Sequence, residues 1–136
     1  MHTKIATILL GALLFACSVS NTNLSDVEGE LRVSESPREV IFSVTNTGSE
    51  SVEFNFTSGC QVKFVLLDDE GNTAYDSESN TGCTAALSSF TLQPEEVKVF
   101  DIKEEWIPDS ISGSYILRSE LIGYSDVSDT TVIVVQ

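Results

Sequence analysis

Histidine is almost missing from this chain of 136 residues: His2 is the only one. Basic residues are scarce as well. Seven lysines and arginines stand against 21 aspartates and glutamates, a net charge of −14. Binding nucleic acid needs cationic groups that displace counterions from phosphates, so a polynucleotide is unsuited as a partner. An anionic membrane surface would repel the chain for the same reason, and the acidity fits a saline habitat or simple solubility. With His2 in a segment expected to be removed, no Ser-His-Asp or Cys-His site can form. No Ser-x-x-Lys occurs either. Carboxylate pairs are plentiful, but so acidic a chain places many together by chance. The sequence therefore reads as no enzyme. It also lacks a long apolar run. The apolar run near the start, residues 5–15, falls short of the roughly 20 apolar residues that span a bilayer.

What is there begins with that stretch. A short segment with one lysine, then residues 5–15, make the pattern of a secretory signal. Leu14, Phe15 and Ala16 before Cys17 resemble the bacterial lipobox, with Phe15 standing where a small residue is more usual. In that class the signal is cleaved and the cysteine receives a diacylglycerol and an acyl chain. One chain holds a protein to a membrane only marginally, while two or three hold it stably. Cys17 is thus the expected lipidation site. The implied place is the periplasmic side of a membrane in a bacterial cell envelope. Where there are two membranes, Ser18 after the cysteine favours the outer one.

Three cysteines then leave an even pair, Cys60 and Cys83. Export implies an oxidising compartment, in which such a pair usually joins. The bridge would close a loop of about 24 residues, contributing roughly 3 kcal/mol on the chain-entropy estimate. Two cysteines with no histidine nearby do not supply the four ligands of a zinc site. Only Lys63 is basic near either, a poor setting for a reactive thiol. No metal and no cofactor are expected.

Residues 18–30 are polar and without periodicity, and read as a flexible tether. Beyond them apolar residues alternate at period two, the strand signature. Val40, Phe42 and Val44 share one face, as do Val52, Phe54 and Phe56, with "TNTGSES" as a turn between. Further strands are expected at residues 62–67, 73–75, 90–92, 97–102, 114–121 and 130–135, with a weaker one at 31–33. "DDEGN", residues 68–72, lacks the alternating ligands and terminal glutamate of an EF-hand and reads as a hairpin turn. Seven to nine short strands and no convincing helix indicate an all-β, immunoglobulin-like Greek-key β-sandwich. The cysteines differ from an antibody pair: one precedes a strand, the other sits in a loop, and Trp106 follows both.

The stretch "VIFSVTNTGSESVEFNFTSGCQVKFVLLDDEGNTAYDS" resembles the front half of the intracellular proteinase inhibitor (BsuPI) domain. The residues that carry the likeness are Asn46, Thr47 and Gly48, then Phe56, Ser58 and Gly59, then Phe64, Asp68 and Gly71. Leu92 and Pro94, Phe100 and Trp106, and Gly113, Tyr115 and Leu117 extend it over roughly residues 38–122. Two positions depart: Tyr75 stands in for a tryptophan-rich stretch, and Glu95 follows Pro94 where the family tends to have glycine. The resemblance implies a small sandwich related to inhibitors of subtilisin-like serine proteases. It names no inhibitory residue, and fold alone does not grant function.

The expected organisation is a signal peptide at 1–16, a lipidated tether at 17–30 and a BsuPI-like domain at 31–136, most simply a monomer. The expected function is a lipid-anchored envelope protein that inhibits a serine protease. The alternative is a non-catalytic binding or envelope-assembly module that meets another envelope protein. An inhibitory loop should be exposed and held at both ends. Two loops meet that description on sequence: residues 76–83, pinned by the proposed disulfide, and residues 104–113. In the second, Pro108 restricts the backbone and Trp106 and Ile107 could anchor in a pocket.

Overall fold

A computed structural model describes residues 24–136. The expected signal peptide and Cys17 lie outside the described residues. Nine strands run β1 Val27–Glu35, β2 Arg38–Asn46, β3 Val52–Phe56, β4 Val62–Leu67, β5 Thr73–Asp76, β6 Ser88–Leu92, β7 Val97–Asp101, β8 Gly113–Leu121 and β9 Tyr124–Val135. A single helical turn, α1 (Ser77–Asn80), and 3-10 turns at Leu24–Asp26 and Glu104–Trp106 complete the described chain.

All strand pairs are antiparallel, in sheets ordered β1-β2-β7, β3-β6 and β5-β4-β8-β9. The pairs β2–β7 and β4–β8 lie in different sheets although β2 and β4 are near neighbours in sequence. That crossing is the mark of an immunoglobulin-type Greek key. Period-two alternation turns one side of each strand inward: Val40, Phe42 and Val44 from β2, Val52, Phe54 and Phe56 from β3, Phe64 and Leu66 from β4, Leu117 and Leu121 from β8. They form one apolar core shared by all the sheets. Burial of each large side chain contributes about 1.5–3 kcal/mol. On β7 the alternation leaves Val97 and Val99 exposed and turns Phe100 toward the core, where its ring lies 5.9 Å from that of Phe90.

Two arches, from β2 to β3 and from β6 to β7, carry the chain between sheets side by side. Asn46, fully buried, ties them together. Its Nδ2 donates to the carbonyls of Glu50 (2.7 Å) and Leu92 (3.1 Å), and its Oδ1 accepts from the N–H of Gly48 (3.0 Å). Its own N–H donates to Glu96 O and its carbonyl accepts from Glu95 N–H. An interior amide must be fully hydrogen-bonded to be tolerated, and this one is. Glu95 answers with φ +67°, a left-handed backbone that favours glycine.

Among the described residues, regular structure starts earlier than expected. Residues 24–30, read as tether, form the 3-10 turn and the first part of β1. The strand pattern is hidden there because Gly29 takes an inward position between Val27 and Leu31. A Cβ on Gly29 would stand 2.8 Å from the Phe42 ring, so the core leaves no room for a side chain. The "DDEGN" segment is a hairpin turn, with the Asp68 carboxylate accepting from the N–H groups of Glu70 and Asn72.

Candidate functional site

Cys60 and Cys83 are joined, with Cα atoms 5.5 Å apart and a sequence separation of 23. The bond fastens the chain leaving α1 to the turn that leads into β4. That turn, residues 58–61, is itself tightly organised. Cys60 N–H donates to Ser58 Oγ at 3.1 Å, and Gly59 N–H donates to the carbonyl of Thr84 at 3.0 Å. The Ser88 hydroxyl donates to Ser58 O and accepts from Gln61 Nε2 at 3.3 Å. The same short turn therefore grips Thr84 on one side and Ser88 on the other. The approach is close: a Cβ on Gly59 would come within 2.1 Å of Thr84 Oγ1 and would force that side chain to turn away.

Between the two grips, residues 84–87 (Thr-Ala-Ala-Leu) are all exposed, Leu87 to 81%. Among the described residues, Ala85, Ala86 and Leu87 make no backbone hydrogen bond. Beside them lies a shallow groove of about 360 Å³ lined by Asn55, Phe56, Thr57, Leu87, Ser88 and Ser89.

The two loops favoured by the sequence are different in kind. Residues 76–83 are locked down. Asp76 caps α1 by accepting from Glu78 N–H, and buried Ser77 accepts from Phe64 N–H through Oγ at 2.9 Å. Lys63 Nζ holds Glu78 at 3.1 Å and Glu120 at 3.6 Å. The hydrogen bond to Glu78 raises the Lys63 ammonium above its ordinary value, against the opposing effect of burial. The 104–113 loop is also pinned. Arg38 Nη2 meets Glu104 Oε1 at 2.9 Å and the carbonyl of Val134 at 3.0 Å. Hydrogen bonds to Glu104 and then Glu35 raise the Arg38 guanidinium above its usual range.

Ile107, expected as a protease contact, belongs to the core at 9% exposure. The 3-10 turn that sets Glu104 against Arg38 rotates the next apolar residue inward, so Ile107 is corrected to a packing residue. Pro108 is exposed, and Trp106 is half-exposed at 48%. Trp106 and the disulfide come together: with Phe100, Val62 and Ile122 they line a cleft of about 330 Å³. Residues 84–87 escaped the sequence reading because small residues carry no period. The available signal was an uncharged Ala-Ala-Leu between a paired cysteine and a strand.

These features define a class: a small immunoglobulin-type sandwich with a braced, exposed loop at one edge. More narrowly, the chain belongs to the intracellular proteinase inhibitor (BsuPI) family, whose model matches residues 25–125. No curated protein matches the chain. The expected resemblance is thereby established, and the matched span runs from before β1 into β9. The partner that such a domain implies is a protease.

Proposed function

We propose that this protein is a lipid-anchored inhibitor of subtilisin-like serine proteases in a bacterial cell envelope, acting by occupation of the protease and without catalysis of its own. The observation that carries the inhibitor reading is the family match across the sandwich. The family is described as intracellular, and two features of this chain argue for export. One is the leader ending in Leu-Phe-Ala-Cys at Cys17. The other is the Cys60–Cys83 bridge, a bond that persists in oxidising compartments.

Two experiments test the two halves. Full-length protein purified in detergent should inhibit subtilisin-like enzymes at micromolar concentration. Absence of inhibition across a panel of serine proteases would transfer the protein to the binding-module reading. Cys17→Ser should release it from the membrane fraction and leave the precursor unprocessed by the lipoprotein peptidase. Unchanged partition and processing in that variant would remove the anchor.

A further inference from the structure

No Asp, Glu, Lys or Arg occurs from residue 54 to 62 or from 79 to 94, in a chain with 21 carboxylates. The fold brings these two stretches together. β3 pairs with β6, Phe56 opposite Ser88, and the turn at 58–61 grips both Thr84 and Ser88. An acidic molecule thus has one edge whose own residues carry no charge, with Lys98 Nζ at its border 5.7 Å from the Phe90 ring, and docking there strips little water from charge. Leu87 stands on that edge, the most exposed of the large apolar side chains among the described residues.

We propose that residues 84–87 enter the active-site cleft of the target protease, with Leu87 filling its primary specificity pocket; this assignment rests on the inhibitor reading above. The segment is fixed before binding, at one end by Cys83 and the Gly59–Thr84 hydrogen bond, at the other by Ser88. Little ordering entropy is then lost when it docks. The free N–H and C=O groups of Ala85, Ala86 and Leu87 are available to pair with the cleft as an added strand. Alanines ahead of Leu87 leave room for the cleft walls to close on the backbone. The chemistry also selects the target. A pocket that ends in a carboxylate, built for lysine or arginine, finds no cation here, whereas a pocket for a medium-sized aliphatic side chain fits Leu87. The partner is therefore an endoprotease with an apolar primary pocket.

The test uses the full-length protein in detergent against two sets of serine proteases, one with apolar primary pockets and one specific for basic residues. Leu87→Asp should weaken inhibition of the first set by about 100-fold or more, with an unchanged melting temperature because the side chain is exposed. Leu87→Lys should lose the first set and gain the second, an exchange that a merely structural residue would not produce. Trp106→Ala, in the rival loop, should inhibit within about threefold of wild type. If the wild type inhibits and both Leu87 variants match it against the first set, the contact lies elsewhere and this assignment falls while the inhibitor reading stands. Loss of inhibition in Trp106→Ala with retention in Leu87→Asp would move the contact to the other loop. A wild type that inhibits no enzyme in either set overturns the reading and the assignment together.

Discussion

Glu95 occupies the one non-glycine left-handed position among the described residues, at φ +67°. Its N–H donates to the carbonyl of Asn46, so the strained conformation is held by the hydrogen bond that closes the second arch. A side chain with a Cβ costs about 1–3 kcal/mol in that region. Glycine avoids the strain but adds freedom to the unfolded chain, worth about 0.4–1 kcal/mol. Glu95→Gly should therefore stabilise the protein by about 1 kcal/mol, read as a higher urea midpoint at unchanged slope. A lower midpoint would show that the arch does not strain this residue. The neighbouring Asn46 works in the opposite sense. Its amide is one of the few buried polar side chains and satisfies three backbone groups at once. The Asn-Thr-Gly sequence is thus an arch fastener, which explains why such residues speak for the fold and say little about inhibition.

Strands β3 and β4 were legible in the sequence to the residue, because Val52, Phe54 and Phe56, and then 62–67, present an unbroken apolar face. Strand β9 was half legible. Its inward side carries Asp129, whose carboxylate accepts from Leu31 N–H at 2.8 Å, so a polar residue sits where alternation calls for an apolar one. Strand β1 was legible only at 31–33, and its first part was hidden for the complementary reason, a glycine where the core needed space. The site was less legible than the fold. The pairing of Cys60 with Cys83 followed from counting, but which segment the pair would brace depends on contacts across 25 or more residues, such as Gly59 with Thr84. The bridge itself ties the turn before β4 to the chain after α1, and residues 58–61 support both ends of the exposed segment. Reduction should lower stability by about 3 kcal/mol, seen as a fall in melting temperature with a mass gain of two protons. Free thiols at both positions in protein taken from the envelope would contradict it.

Across the whole molecule, a net charge of −14 meets only a handful of ion pairs among the described residues, on Arg32, Arg38, Lys63 and Arg118. Most carboxylates therefore repel one another, and compaction raises that repulsion. Raising the salt from about 0.01 M to 1 M shortens the screening length from about 30 Å to 3 Å, and the melting temperature should rise with it. A flat or falling curve would show that surface repulsion is not a significant destabilising force. The order of pieces along the chain has its own consequence. Both cysteines precede residues 84–87, so the covalent ring closes before the exposed segment begins. Severing the backbone there would leave two polypeptides with no bond between them, one ending near Leu87 and one starting near β6. Yet β6 pairs with β3, β7 with β2 and β8 with β4, each a later strand against an earlier one. The halves are interleaved like the fingers of two hands, and the sandwich is in effect a heterodimer that happens to be joined at one exposed peptide.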